Sequence, residues 1–403
     1  MEAAVESLVA ELCPQAKTKT VPLGQISRLH AARDIYAPID VPGFNRSAMD
    51  GYALRAGETA QATREAPAVF KVLARIMAGD LYSPQGDSAA AGHAVRIMTG
   101  AAVPDGFDAV VKQEDTDCGK DRVAVYAGVK PFANYSKIGE DIAKGRLVVK
   151  KGERLAAVHA GVLASLGIGA VEVFQPIKAA VISCGSELAE LGGALQAGQI
   201  YDSNRYLLAA RLGELNAEVV LSERTPDEAG EICAAIDRAA GGDADVLITT
   251  GGVSVGDKDL VPSIMEELGA RRLFWRVNMR PGTPALASVY RGKPVLSLSG
   301  NPFAALATFE LLFRPMLSRF LHTDFYTCKR GEAVLADGLK KTSKQRRFVR
   351  AHCQGGLVRL PPEGHSSSVL STMQDCNCFI DIKAGSPAIE KGERVDVVML
   401  GGL

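Results

Sequence analysis

The sequence predicts a multidomain fold in which one three-layer α/β domain is combined with separate β-rich domains. The chain has 403 residues and is 47% hydrophobic, which is enough to fill several cores. Residues 176–326 alternate strand and helix patterns, which is typical of a mostly parallel sheet with helices on both faces. Residues 45–139 and 327–403 instead carry short β-type runs separated by glycine and proline. We therefore expect three or four domains.

Changes in composition near residues 45, 140, 176 and 326 place the domain boundaries. Residues 1–44 begin with an amphipathic helix pattern but are too few to bury a core alone. Residues 140–175 show a short strand pattern followed by a helix, and they could complete the first segment. Residues 45–139 would then be inserted between the two halves of a discontinuous domain.

The overall charge excludes several classes of partner. Lysine plus arginine and aspartate plus glutamate both number 46, so no basic field points to nucleic acid. The N-terminus lacks a basic signal-peptide region, and no apolar run is long enough to span a membrane. The eight cysteines are scattered, and the Cys376/Cys378 pair has neither zinc-finger nor thioredoxin spacing. We expect a cytoplasmic protein with reduced thiols, no nucleic-acid or membrane partner, and only local anion binding.

Two strands run into glycine-rich loops that open helices, in DVLITTGGVSVGDKDLVPSIMEEL (245–268) and PVLSLSGNPFAALATFELL (294–312). Glycine lets the backbone approach a ligand closely, and a helix start offers unpaired N–H groups to an anion. The carboxyl ends of parallel strands meet at one edge, so these loops and SCGSE (183–187) should lie together. Two such loops indicate an extended phosphorylated ligand.

The loop TTGGVSVGDKD combines tight curvature with polar groups. Its glycines are Gly251, Gly252 and Gly256, its hydroxyl donor is Ser254, and the carboxylates at its mouth are Asp257 and Asp259. Carboxylates beside a phosphate site call for a cation between them, which indicates Mg²⁺ bridging acid and phosphate. The alternative is that Asp259 only caps the following helix.

Two other helix entrances carry similar alternatives. TPDE fits a capping box, with a cap at Thr225, Pro226 at the first helical position and Glu228 three residues after Thr225. This interpretation would make Asp227 structural. In SLSGNP, Asn301 can cap and Pro302 can begin a helix, while the glycine and hydroxyls favour a ligand.

Between the glycine loops, Arg276 and Arg280 are four residues apart in a predicted strand, so both should point to one face. Two guanidinium groups on one side would bind an oxyanion. Thr283 follows in PGTP, where prolines fix the bend. The alternative is two solvated arginines at a strand edge.

The N-terminal half is less informative by itself. GFNRSAMDGYALRA places Arg46 and Asp50 in a loop rich in turn formers, and Thr99 and Gly100 follow a predicted strand. An Asp-Gly pair is usually a turn, which would make Asp50 structural.

Seven motifs occur in this order along the chain: SAMDGYA, RIMTGAAVP, GEDI, IYDSN, TTGGVSVGDKD, MRPGTP and SGNP. In this order they resemble those of the molybdopterin molybdenumtransferases, the molybdenum insertase family that includes the gephyrin E domain. The resemblance extends from about residue 7 to the end of the chain.

The resemblance implies an elongated homodimer whose active site lies between subunits. The α/β domain would bind molybdopterin, residues 1–44 and 140–175 would form the dimerisation domain, and residues 327–403 would form a β-barrel. It also implies that adenylylated molybdopterin and molybdate give molybdenum cofactor and AMP with Mg²⁺ present. A molybdopterin adenylyltransferase would be a possible partner.

The resemblance also assigns roles to individual residues. The catalytic residues would be Asp50, Thr99, Glu187, Asp227, Asp259, Arg276 and Arg280. Metal ligands would be Asp50, Glu187, Asp227 and Asp259. Cofactor-binding residues would be Gly251, Gly252, Ser254, Gly256, Asp257, Pro281, Pro284, Ser299, Gly300, Asn301, Pro302, Arg350 and Ser371.

Several positions depart from the family pattern. Thr283 replaces a lysine, Cys184 replaces a hydroxyl residue, and Ser186 replaces a carboxylate. The proline-rich loop before GNP is here Ser297 to Ser299. These changes leave open tungstate in place of molybdate, or a paralogue of reduced activity.

Two alternative functions remain open at this stage. An adenylyltransferase-like pterin-nucleotide enzyme would need only a domain resembling residues 177–320, whereas the chain is longer and contains MDGYA. A non-catalytic cofactor carrier or scaffold would tolerate loss of the acidic residues, yet Asp50, Glu187, Asp227 and Asp259 are all present.

Overall fold

The computed structural model describes residues 1–12, 16–80, 82, 90–253, 260–342, 344–363 and 366–401. Its α-helices are α1 (Glu2–Leu12), α2 (Ala157–Ser165), α3 (Ser203–Glu214), α4 (Ala229–Gly241), α5 (Val261–Glu267), α6 (Pro302–Thr308) and α7 (Arg314–Phe320). The first strands are β1 (Thr18–Pro22), β2 (Ile35–Tyr36), β3 (Arg46–Ser47), β4 (Gly51–Leu54), β5 (Ala68–Ile76), β6 (His93–Ile97), β7 (Ala109–Lys112), β8 (Arg122–Val125), β9 (Tyr135–Ser136), β10 (Leu147–Val149) and β11 (Ala170–Phe174). The later strands are β12 (Lys178–Cys184), β13 (Leu188–Ala189), β14 (Ile200–Tyr201), β15 (Glu218–Thr225), β16 (Val246–Thr250), β17 (Arg271–Trp275), β18 (Met279–Arg280), β19 (Leu286–Tyr290), β20 (Lys293–Leu298), β21 (Arg330–Leu335), β22 (Arg346–Gln354), β23 (Leu357–Arg359), β24 (Cys378–Ile382) and β25 (Arg394–Met399).

Six strands form the sheet of the α/β domain in the order β15-β12-β16-β20-β19-β17. The first four strands are parallel, and β19 and β17 add an antiparallel edge. Alternate residues of β12 enter different cores: Ala179 and Val181 pack with α3 and α6, while Ala180 and Ile182 pack with α4 and α5. The three-layer α/β prediction is confirmed.

The C-terminal region is a closed β-barrel, as the sequence predicts. Strands follow the order β22-β23-β21-β25-β24, and β24 pairs back with β22 to close the ring. Side chains that alternate along the strands, such as Leu335, Ala351 and Val397, fill its interior. The short strand β18 of the α/β region pairs in parallel with β22, which joins the two regions by backbone hydrogen bonds.

A buried ionic cluster also ties the barrel to the α/β layers. Glu310 is fully buried and accepts from Arg211 Nε at 2.7 Å and from Arg314 Nη1 at 2.7 Å. Both arginines donate to the carbonyl of Leu400, just after the last barrel strand. Removing one partner would leave a buried charge unpaired, so the cluster fixes the end of the barrel.

A second compact unit comprises residues 34–150 and 157–170. Its five-stranded sheet has the order β7-β4-β6-β5-β8 and separates two apolar clusters, with Ala53 on one face and Tyr52 and Leu54 on the other. These strands lie within residues 45–139, so the β-rich character predicted for this range is confirmed.

The first unit comprises residues 1–33, 151–156 and 171–403, which differs from the predicted grouping of 1–44 with 140–175. The reason is the packing of α1, because its buried Val5 and Leu8 belong to the core of the α/β domain.

Three local predictions are corrected by the structure. The capping box at Thr225 is wrong, because Thr225 still pairs with Cys184 in the sheet and α4 begins only at Ala229. Arg276 and Arg280 do not share a strand: β17 ends at Trp275, and Arg276 has the left-handed φ of 71° that interrupts it. Asn301 occupies the N-cap position of α6, but its side chain makes no capping hydrogen bond.

None of the helices among the described residues has both the length and the apolar character needed to cross a membrane.

Candidate active site

The loops at the carboxyl ends of β12, β16 and β20 meet, as predicted, and border a cavity of about 1510 Å³. The barrel forms the opposite wall through β22 and the segment before it. The sequence-predicted residues that line the cavity are Glu187, Asp227, Gly251, Gly252, Arg280, Pro281, Pro284, Ser299, Gly300, Asn301, Pro302 and Arg350.

Close backbone approach explains the glycine at position 251. Its φ is +93°, and a Cβ there would lie 2.1 Å from the carbonyl oxygen of Cys184. Its N–H donates to Leu298 O at 3.1 Å, which ties the first glycine loop to the end of β20. Only glycine fits here without moving the backbone.

Asn204 in α3 is a site residue that the sequence analysis did not single out, although it lies within the IYDSN motif. Its Nδ2 donates to Thr250 Oγ1 at 2.9 Å and to Gly300 O at 2.8 Å, so one buried amide joins both glycine loops. Thr250 Oγ1 in turn donates to Ser299 O at 3.0 Å. The Oδ1 atom of Asn204 is buried without a hydrogen-bond partner among the described residues.

The acidic rim of the cavity, formed by Glu187 and Asp227, follows β12 and β15. Ser186 and Asp227 form a reciprocal pair: Ser186 N donates to Asp227 Oδ2 at 3.2 Å, and Asp227 N donates to Ser186 Oγ at 3.0 Å. Ser186, one of the departures from the family pattern, therefore orients the Asp227 carboxylate. Glu187 is exposed at the same edge.

Cys184, another departure, ends β12 and is buried beneath this rim. Burial, and next the carboxylates of Asp227 and Asp202, raise the pKa of its thiol to about 12. The thiol is therefore neutral near pH 7 and is not a nucleophile. Asp202 is buried too, but Arg205 Nε pairs with it at 2.9 Å, and it caps α3 by accepting from Arg205 N. These contacts anchor the start of α3.

The opposite wall carries a basic rim: Arg280, Lys340, Lys341, Arg347 and Arg350. Four of these come from the barrel region, and the sequence analysis found only Arg280 and Arg350. The register of β18 with β22 places Arg280 opposite Arg347. No single motif could signal this pairing, because the two arginines are far apart in sequence.

Arg350 is almost fully buried, at 1% exposure, and stacks over the Phe303 ring at 3.7 Å from its centroid. Its guanidinium donates to Val369 O, Ser366 O and Thr372 Oγ1. Burial lowers its pKa below the usual value for arginine. Among the described residues, these partners engage three of its five N–H donors.

Other predicted residues are placed differently. Arg276 is exposed, lies over the Trp275 ring at 5.2 Å and is not part of the described cavity wall. Ser371 begins a 3₁₀ turn, is exposed and also lies off that wall. Thr283 lines the cavity, but its hydroxyl donates to Met279 O at 2.6 Å and stabilises the turn after β18.

Asp50 and Thr99 form a pair in the other compact unit. Asp50 Oδ1 accepts from Thr99 N and from Thr99 Oγ1, both at 2.8 Å. These two hydrogen bonds lower the pKa of the exposed Asp50 carboxyl. The structure thus favours the ionised form of this carboxyl group.

Four predicted residues lie outside the described residues: Ser254, Gly256, Asp257 and Asp259. Within the described ranges, no group of three or more His, Cys, Asp or Glu side chains could hold a metal ion. The predicted metal set of Asp50, Glu187, Asp227 and Asp259 includes one residue outside these ranges and one in the other unit.

The fold and the cavity define a class: multidomain α/β proteins in which glycine-rich loops and a β-barrel form opposite walls of one cavity.

Comparison with known proteins gives the family. Residues 1–167 match the MoeA N-terminal region (domain I and II), residues 180–319 match a probable molybdopterin binding domain, and residues 332–400 match the MoeA C-terminal region (domain IV). The molybdopterin molybdenumtransferase of Bacillus subtilis is 36% identical over 406 residues, covering 98% of this chain and 94% of the relative. Molybdopterin molybdenumtransferase 2 of Mycobacterium tuberculosis is 36% identical and covers 97% of each chain. The crystal structure of a molybdopterin biosynthesis MoeA protein from Pyrococcus horikoshii has a TM-score of 0.87 and 33% identity, covering 100% of this chain and 99% of that one.

The chain belongs to the molybdopterin molybdenumtransferase family and is an enzyme of molybdenum cofactor biosynthesis. The resemblance drawn from the seven sequence motifs is confirmed.

Proposed function

We propose that this enzyme inserts molybdate into adenylylated molybdopterin, releases AMP and requires Mg²⁺. The observation that carries the proposal is the separation of charge within one cavity, with the acidic rim on the α/β loops and the basic rim at the barrel. A reaction that joins an oxyanion to a phosphorylated pterin needs both kinds of group within reach of one ligand.

The acidic rim fits a hard divalent cation, because carboxylate oxygens are the ligands that Mg²⁺ prefers. Glu187 and Asp227 would hold it, with Asp259 contributing from outside the described residues. When bound, Mg²⁺ would neutralise charge on the pyrophosphate as the bond to AMP breaks. The Ser186 N–H fixes one Asp227 oxygen and so reduces the cost of orienting this ligand.

The glycine loops would bind the phosphates. Gly251 and Gly252 allow the tight backbone of the first loop at the cavity wall, and Asn204 joins the two loops by hydrogen bonds. On the other wall, Arg280 and the remaining donors of Arg350 would orient the oxyanion toward the pterin sulfurs. The oxyanion is molybdate in this proposal, and tungstate is the alternative.

We further propose a cytoplasmic homodimer in which residues 1–44 and 140–175 contribute the dimer contact. Asp50 and Thr99 of one subunit would then complete the cavity of the other, which explains why an ionised carboxylate is held ready in a separate unit. Mixing an Asp50→Ala variant with an Asp227→Ala variant should restore part of the activity that each lacks. A mixture as inactive as its components would refute the shared site.

A molybdopterin adenylyltransferase would supply the substrate, directly or by diffusion.

The reaction is tested by AMP release from adenylylated molybdopterin with Mg²⁺, measured with and without molybdate or tungstate. We expect release to be stimulated by at least one oxyanion and to stop when EDTA removes the metal. If neither oxyanion stimulates release, the proposed reaction is wrong.

A further inference from the structure

Arg347 of the barrel lies beside Arg280 of the α/β region, and both line the cavity. The parallel pairing of β18 with β22 aligns Arg280 with Arg347. Arg347 Nη1 donates to the carbonyl of Lys341, which fixes the guanidinium group on the cavity side. The α/β region and the barrel therefore each contribute one guanidinium group, Arg280 and Arg347, to the same part of the cavity wall.

The neighbouring residue on β22, Arg346, provides a contrast, because it is paired with carboxylates. Arg346 is held by Asp381 through two hydrogen bonds of 2.7 and 2.6 Å and by Glu2 at 3.0 Å. Arg280 and Arg347 have no carboxylate within ion-pair distance in the part of the chain that the structure describes. Successive residues of a strand point to opposite faces, so Arg346 and Arg347 face different surroundings.

Like charges placed together repel, and the repulsion grows as water is excluded. Burial, and next the charge of Arg280, lower the pKa of the half-buried Arg347. An anion bound between the two guanidinium groups would remove this repulsion and fill their planar hydrogen-bond forks.

We propose that Arg347 and Arg280 form a clamp for a doubly charged tetrahedral oxyanion, and that Arg347 is a specificity-determining residue of this enzyme. The proposal rests on the proposed function only for the identity of the anion. The same chemistry is offered by an inorganic oxyanion such as molybdate and by the phosphate monoester at the end of an organic ligand. Lys340 and Lys341, exposed on the same wall, would attract either anion to the clamp.

The test is binding without turnover. Isothermal titration calorimetry would measure molybdate and methyl phosphate separately, on the full chain and on the variants Arg347→Gln, Arg347→Lys and Arg280→Gln. Arg359→Gln is the matched control, because Arg359 is an exposed barrel arginine outside the described cavity wall. Unfolding temperatures would show that each variant is folded, and Arg347→Lys keeps the charge if Arg347→Gln does not fold.

Arg347→Gln should weaken binding by about tenfold, Arg347→Lys by less, and Arg359→Gln not at all. A loss confined to molybdate assigns the clamp to the inorganic oxyanion, and one confined to methyl phosphate assigns it to the ester. Loss of both means that either can occupy it. Unchanged affinity for both anions in folded Arg347 and Arg280 variants would overturn the clamp. Since no catalysis is involved, failure of AMP release would sink the proposed reaction and leave this result standing.

Discussion

The acidic and basic rims of the cavity are built in different ways. Glu187 and Asp227 follow neighbouring parallel strands of one sheet, so the topology of a single domain brings them to the same edge. The basic rim depends on two regions, because Arg280 comes from β18 while Arg347 and Arg350 come from β22 of the barrel.

The acidic rim is therefore formed within one domain, whereas the basic rim depends on how the barrel is attached to the α/β domain. Backbone pairing of β18 with β22 and the buried Glu310 cluster provide that attachment. Variants of the acidic rim should therefore act on metal use and turnover, whereas variants of the basic rim should act on the oxyanion.

The largest effect is expected for the acidic rim. The double change Glu187→Gln and Asp227→Asn removes both charges with little change of shape, so kcat for AMP release should fall by at least about 100-fold. The Mg²⁺ concentration required for half-maximal activity should rise, as a metal titration would show. Glu228→Gln, next to Asp227 but exposed at the start of α4 and off the described cavity wall, should behave like the unchanged enzyme. If the double variant kept its turnover and metal requirement, the acidic rim would not be a metal site.

A smaller effect is expected for the basic rim. Arg280→Gln should raise the KM for molybdate by about tenfold, since one charge-assisted hydrogen bond is lost. The Mg²⁺ requirement should be unchanged, and steady-state kinetics with each component varied would separate the two. A shift in metal requirement instead would mean that the rims do not act separately.

Asn204→Leu tests the connection between the glycine loops without touching either rim. The change keeps the size of the side chain but leaves Gly300 O without its donor, so the free energy of unfolding should fall by about 1–3 kcal/mol. The pterin nucleotide should bind more weakly. The KM for molybdate should still depend on Arg280. Urea unfolding and equilibrium binding measure the two effects. Equal stability together with unchanged nucleotide binding would remove Asn204 from the positioning of the loops.

The smallest effect is expected at the exposed pair in the other unit. Thr99→Val removes one of the two hydrogen bonds to Asp50 and leaves the backbone N–H, so the pKa of Asp50 should rise part of the way to its usual value. An NMR titration of the carboxyl group would detect this rise. The acidic limb of the activity profile should move to higher pH in the same variant. A pKa that stays low would assign the shift to the backbone N–H alone.

Features that depend on local pattern could be predicted from the sequence. The strands and helices of the α/β domain follow from apolar periodicity, and the meeting of the loops follows from parallel topology. The role of glycine at position 251 also follows, because a glycine-rich strand end permits the left-handed backbone that the structure shows.

Features that depend on tertiary pairing could not be predicted. Arg347 reaches the cavity only because β22 pairs with β18, and no periodicity in either segment specifies that partner. The helix cap expected at Thr225 failed for a similar reason, since pairing with β12 extends β15 over this residue. Arg276 lies outside the strand of Arg280 because its own backbone is left-handed, which a propensity argument does not detect.

The central claim is that one cavity holds a divalent cation at its acidic rim and an oxyanion at its basic rim. Crystals soaked with Mn²⁺ and tungstate would test it directly, because each element can be located by its own anomalous signal. The account predicts a manganese peak beside Glu187 and Asp227 and a tungsten peak at the basic rim, beside Arg280. Both peaks on one rim, or a tungsten peak away from this cavity, would contradict it.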